Sequence, residues 1–337
     1  MALTATNATP ADVTATEPPL GGEPGAVPPT GGESGPAAEV DARIERLSVA
    51  SLRRVIEPDE AVPGGIGDGP VLPAELLSIA GLDIDLDPEQ LRTLAREEVA
   101  SITDAGIRFE SILTAGFSMQ IAQYGDLTDP RVTYMLHELG EETRHSRLFV
   151  RLLSQLQPRA RNPLAHPVLR FLERRFMPWL TRMPAFLCVL VLSGEEIPDL
   201  FQKLAAEHPD TDPFIRQVNR YHRQEEARHL AFARMILPEA WRDASWMERR
   251  LVERLAPSVV GGMFETIVHP GVYATVGLPA WPTWRAVNRS ARRLAVKHQA
   301  LRPVLAALIA AGAIRPGRVP RGWRQLCHVD RRGEPLD

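Results

Sequence analysis

The amino-acid sequence predicts an all-α protein, a bundle of four long helices with additional helices around it. Three observations carry that expectation. Apolar residues between positions 88 and 237 recur at helical rather than strand spacing. Strand signals are almost absent. Many of the 30 prolines fall where such helices would start or stop. The composition, 44% hydrophobic and 24% charged, is that of a globular chain rather than a disordered, collagen-like or disulfide-stapled one. A net charge of −3 provides no global basic field of the kind nucleic-acid binders carry.

The elements follow in order. Residues 1–40 hold 7 Pro, 6 Gly and five acidic residues with no Lys or Arg. Such a segment buries too little apolar surface to offset its ordering entropy, so a disordered acidic tail is expected there. It lacks the basic start and apolar core of a secretory signal. Residues 41–337 are then expected to form one domain. Arg43–Glu60 reads as a short segment of mixed charge with helical character, followed by a Pro/Gly-rich loop, 63–73.

Asp87-Pro88-Glu89-Gln90 is a helix-start signature, and the first long helix runs from it toward Tyr124-Gly125-Asp126. The second begins after Asp129-Pro130 and ends before Pro158. A proline-rich crossover containing a helix near 168–176 leads to the third, 185–206. The fourth is expected from Pro213 to about Leu237, bounded by Pro238, with further helices near 240–256 and 285–313. The longest apolar runs, 185–192 and 304–314, are well short of the ~18–20 residues that span a bilayer. Cys188 and Cys327 are expected to be reduced thiols in a cytoplasmic protein, without a disulfide.

A short internal repeat carries the chemistry. Glu141-Glu142-Thr143-Arg144-His145 on the second helix and Glu225-Glu226-Ala227-Arg228-His229 on the fourth both read E-E-x-R-H. Positions i and i+3 share a helix face, so Glu142/His145 and Glu226/His229 each present a carboxylate with an imidazole. That donor pair suits iron or manganese rather than a thiolate metal. Two E-x-x-H helices plus one Glu from each of two others are the donor set of ferritin-like di-metal bundles.

On the first helix Glu110 shares its face with Ile107, Leu113 and Phe117. On the third, Glu196 continues the stripe Val189, Leu192, Leu200 and Leu204, whereas Glu195 shares a face with Asp199 and Gln202, so Glu196 is preferred with Glu195 as alternative. His222 stands one turn before Glu226 and extends the fourth-helix face to i, i+4, i+7. The matching position on the second helix is Glu138. Arg144 and Arg228 are expected to pair with Glu141 or Glu225, which would orient the ligand imidazoles. Asp104 and Asp199 are further candidates for such support, and His137 reads as an ordinary, partly exposed histidine.

The doubled motif with the extra histidine resembles the di-iron arylamine N-oxygenases over about residues 90–237. The resemblance implies metal ligands at Glu110, Glu142, His145, Glu196 (or Glu195), His222, Glu226 and His229. It also implies two iron ions, O2 as co-substrate, an external electron donor, and a peroxo-di-iron species oxidising an aromatic amine toward hydroxylamine and nitro products. An apolar substrate pocket is expected between the helices, lined by Phe109, Leu113, Phe117, Leu139, Leu192 and Leu200. The expected partners are a small-molecule aromatic amine and an electron-transfer protein, in a homodimer with no nucleic acid or membrane. Two other readings remain open on sequence: a di-iron desaturase or hydroxylase of acyl or other apolar substrates, and a non-catalytic iron-binding or ferroxidase bundle.

Overall fold

Helix starts are where the local chemistry is most explicit. In the computed structural model, which describes residues 36–336, each of the four longest helices opens on a proline. A proline there loses nothing, because the first-turn N–H groups have no partner within the helix. Asp87 caps the first long helix by accepting from the N–H groups of Glu89 and Gln90, and Gln90 answers it from the third helical position. Asp129 and Asp212 cap two others with their own carboxylates.

In chain order the helices are α1 (Pro36–Arg53), α2 (Pro58–Ala61), α3 (Pro88–Ile121), α4 (Pro130–Leu156), α5 (Pro167–Leu180), α6 (Pro184–Glu207) and α7 (Pro213–Asp243). After these come α8 (Trp246–Arg254), α9 (Ala256–Thr266), α10 (Gly271–Ala274), α11 (Ala280–Arg289), α12 (Ala291–Ala310) and α13 (Arg321–Cys327). Among the described residues the only strand-like pairing is a bridge between Val329 and Pro335. The chain is all-α, as its periodicity predicts.

The tail expected over residues 1–40 lies outside the described residues up to position 35, and residues 36–40 open α1. Helix α7 passes through Pro238 to Asp243 instead of stopping at it. An internal proline removes one helical hydrogen bond and costs ~3 kcal/mol or more. Tertiary contacts offset that here. Leu237 is fully buried, and Glu239 takes the guanidinium of Arg131 at 2.8 Å while Asp41 of α1 takes it at 2.7 Å.

Helices α3 and α4 pack as one pair and α6 and α7 as another, the second pair reached by the long crossover that carries α5. Helix α12 lies against α6 and, with α13, closes the C-terminal side. Glu97 and Glu98 of α3 are buried braces. Glu97 accepts from the N–H groups of Arg159 and Ala160 at 2.7 and 3.1 Å, and Glu98 accepts from the N–H of Ser78 at 2.9 Å. Cys188 and Cys327 are buried free thiols. No single helix among the described residues is long and apolar enough to cross a membrane.

Candidate metal centre

Helices α3, α4, α6 and α7 each bring charged side chains to one buried cluster. Glu110, Glu138, Glu142, His145, Glu195, His222, Glu226 and His229 are all nearly inaccessible to solvent. Glu226 lies at the junction. Its Oε1 is 3.0 Å from His145 Nδ1 and 3.2 Å from His222 Nε2, and its Oε2 is 3.0 Å from His229 Nδ1. Glu142 Oε1 approaches His229 Nδ1 at 3.3 Å, and its Oε2 approaches His145 Nδ1 at 3.6 Å. Glu110 Oε1 lies 3.3 Å from His222 Nε2, while its Oε2 accepts from the Ser146 hydroxyl at 2.7 Å.

The repeat forms a crosswise brace. His145 Nε2 stands 2.9 Å from Glu225 Oε2, and His229 Nε2 stands 2.8 Å from Glu141 Oε2, so the leading Glu of each motif holds the histidine of the other. With Nε2–H donating outward, Nδ1 of each ring is the nitrogen left to face the cluster, and loss of its proton would make it a ligand. The arginines tighten the brace: Arg228 donates to Glu141 at 2.7 Å and Arg144 donates to Glu225 at 3.2 Å. His222 is turned the other way round. Its Nδ1 faces Gln202 Oε1 at 3.0 Å, leaving Nε2 toward the cluster, and Phe149 stacks on the ring at 4.9 Å between centroids.

On α6 the structure turns Glu195 inward, where it shares a potential metal position with His222 and Glu226. Glu196, the residue that the apolar stripe favours, points away and pairs with Arg234. The stripe misleads because the face of a helix that meets a charged cluster is itself polar. Gln202, seven residues after Glu195, is the better signal: it lies on that same face and holds His222. Ser146 carries no motif of its own, and only its position beside His145 hints at its role. Asp104 and Asp199 sit in ion pairs with Arg108 at 2.8 Å and Arg223 at 2.6 Å, outside the cluster. His137 is half-buried on α4.

The electrostatics are those of a centre that needs cations. Burial pushes the carboxyls of Glu110 and Glu195 up, Glu195 well above the usual range because Glu226 and Glu142 add negative potential. Burial opposes ionisation of Glu226 too, but the imidazoles of His229 and His222 outweigh it and hold that carboxyl well below its ordinary value. His145 and His229, disfavoured as cations by burial, are nonetheless pulled well above the usual imidazole range by the carboxylates around them. Glu141, despite burial, is held at about 2 by His229 and Arg228.

Several buried atoms make no hydrogen bond of good geometry among the described residues: both oxygens of Glu142 and of Glu138, and Glu226 Oε1 and His145 Nδ1 although these two face each other at 3.0 Å. A buried polar atom without a partner is rare and calls for an explanation. These residues converge on positions where three donor atoms lie within 4.8 Å of one another. A mixed carboxylate–imidazole set of this kind fits a pair of first-row metal ions.

A cavity of about 520 Å³ meets the cluster at Glu110, Glu195 and His222. Phe109 lines it and packs on the bare backbone of Gly194, where a Cβ would come within 1.7 Å of its ring. Leu113, Leu139, Leu192 and Leu200 are not on its wall, and Phe117 lines a separate, smaller cavity of about 190 Å³. Leu113 and Leu192 are wholly enclosed core, and the space lies where neighbouring elements fail to meet rather than along one helix face. Part of the wall comes from outside the four ligand-bearing helices, with Met263, Ile267 and Arg293 from α9, its following turn and α12. Arg293 is buried there, stacked on Phe264 at 4.4 Å and Phe201 at 5.0 Å, and makes no ion pair among the described residues.

Four long helices that each bring a carboxylate to one buried cluster, two of them through an E-x-x-H pair, define the ferritin-like dimetal-carboxylate architecture. The match is more particular than that. The model of the family described as p-aminobenzoate N-oxygenase AurF matches residues 37–312, and the chain belongs to that family, a family of oxygenases. Uncharacterized proteins of Mycobacterium bovis and Mycobacterium tuberculosis are each 28% identical to it over 172 residues, 51% of this chain and 50% of theirs. The chain thus spans about half the length of the curated relatives it matches.

Proposed function

We propose that this protein is a di-iron oxygenase that N-oxygenates an aromatic amine bearing an acidic group. The observation that carries the reading is the cavity of about 520 Å³, which ends on Glu110, Glu195 and His222 at one side of the buried donor cluster. Glu110, Glu142, His145, Glu195, His222, Glu226 and His229 would hold the two iron ions. The chemistry iron supplies there is O2 activation with electrons from an external donor.

The chain's own contribution is positioning and dryness. Glu225, Glu141 and Gln202 fix the three imidazoles so that each turns its other nitrogen toward the cluster. Phe109, Phe149 and Ile197 give the approach an apolar lining, which would favour an aromatic substrate over water there. Arg293 suits an acidic group on the substrate, since this buried guanidinium donates to the Phe264 carbonyl at 3.2 Å but leaves its Nε without a hydrogen-bond partner among the described residues. An apolar cavity of this size also favours an oxygenase over an iron-storing bundle, which requires no organic pocket.

The test is turnover. Iron-loaded, reduced protein is given O2 with p-aminobenzoate, with uncharged aniline, or with an acyl thioester, and products are identified by mass spectrometry. Hydroxylamine or nitro products from p-aminobenzoate support the reading. Arg293→Met should raise KM for p-aminobenzoate at least tenfold and leave aniline nearly unchanged. Oxidation of the thioester alone would replace it with the hydroxylase or desaturase reading.

A further inference from the structure

Helices α4 and α7 present three positions each to the cluster at the same spacing: Glu138, Glu142 and His145 on one, His222, Glu226 and His229 on the other. Residues at i, i+4 and i+7 fall on one face of a helix. The six side chains match in pairs across the two helices: Glu142 with Glu226, His145 with His229, and Glu138 with His222. Of the six, only Glu138 lies outside the ligand set that the family resemblance implies.

We propose that Glu138 is an eighth donor, a carboxylate ligand to the metal ion held by Glu142 and His229, which rests on the dimetal reading above. Glu138 is fully buried, and neither of its oxygens has a hydrogen-bond partner among the described residues. A carboxyl taken out of water with nothing in return is strongly disfavoured, and a cation is the partner that satisfies both oxygens. One ligand atom each from Glu138, Glu142 and His229 lies within 4.8 Å of the others, a separate grouping from that of Glu110, His145 and His222. Tyr134, one turn earlier, offers no relief, because its hydroxyl is buried without a partner as well.

The consequence is an unequal pair of metal positions. The position at Glu110, His145 and His222, where Glu195 and Glu226 also group with His222, meets the cavity through Glu110, Glu195 and His222. At the position of Glu138, Glu142 and His229, none of the three residues lines the cavity. The second position is therefore set back from the cavity, while the first opens onto it.

The experiment is a titration of metal-free protein with Co(II), followed by metal analysis and by the visible d–d bands, which report coordination number. Wild type is expected to take two ions. Glu138→Gln keeps the volume but removes the charge. It should retain one ion at wild-type affinity, weaken the other at least tenfold and change the d–d bands. Glu138→His, which copies the α7 arrangement, should bind two ions again. Two ions with unchanged affinity and bands in Glu138→Gln would overturn the eighth donor while leaving the dimetal centre intact. Fewer than two ions in wild type would overturn the dimetal reading itself. Should Glu138→Gln not fold, judged by circular dichroism, the His variant decides: loss of an ion in a folded Glu138→His also overturns the proposal.

Discussion

Helices α4 and α7 carry the same five-residue motif and lie in the same cluster, yet they do different work. On α7 the face is extended by His222, which meets the cavity and is held by Gln202 and Phe149. On α4 the equivalent place is taken by Glu138, enclosed and without a partner among the described residues. The shared part, Glu-Glu-x-Arg-His, builds a symmetric frame in which each helix braces the other's histidine. The one position that differs distinguishes an open end from a closed end. A near-symmetric frame needs only one short motif used twice, and asymmetry at a single residue gives each end its own character.

The largest effect should come from breaking the frame at its centre. Glu226→Gln and Glu142→Gln occupy matching places, so each is expected to abolish tight binding of both ions and lower turnover by roughly 10³-fold or more, in keeping with loss of an essential ligand. Metal analysis after gel filtration checks this, and a large difference between the two variants would break the symmetry. Next, His222→Gln should weaken one ion by about 100-fold and leave the other bound, because it removes a ligand from the open end only.

Removing the brace should cost less. Glu141→Gln and Glu225→Gln leave the donors in place but loosen His229 and His145, and a change of about 10–100-fold in metal affinity is expected for each. Closely matched values in a Co(II) titration would show that the two motifs brace each other equally. Smaller still is Gly194→Ala, which must displace the ring of Phe109 at the open end. Overpacking of that kind costs about 1–3 kcal/mol. Thermal unfolding should show it, with little change in metal content.

The gentlest probe is pH. In the metal-free protein His145 and His229 have raised proton affinities, so the folded state binds those protons more tightly than the unfolded chain does. Their stabilisation is fully present below the ordinary imidazole value of about 6.5 and fades as pH rises through the raised folded values. Metal must displace the same protons, so its affinity should rise with pH over that range. Opposite slopes for metal-free stability and metal affinity, measured by unfolding and by titration, are the expected result, and His229→Gln should flatten both.

Much of this protein is legible as sequence because it depends on local spacing. Asp-Pro pairs set the starts of α3, α4 and α7, and the 3.6-residue period of apolar side chains dictates a helical bundle. The i, i+3 and i+4 intervals suffice to put Glu142, His145, His222, Glu226 and His229 on shared helix faces. Each of these follows from backbone geometry within one helix. The tertiary structure decides what depends on a neighbouring element. It chooses Glu195 over Glu196, because the rotation of α6 about its own axis is set by what packs against it. It carries α7 through Pro238, because contacts with Arg131 and the core outweigh one lost hydrogen bond. It places the cavity against α9 and α12, because empty space is what remains when distant parts of the chain fail to meet, and no spacing within a helix encodes that.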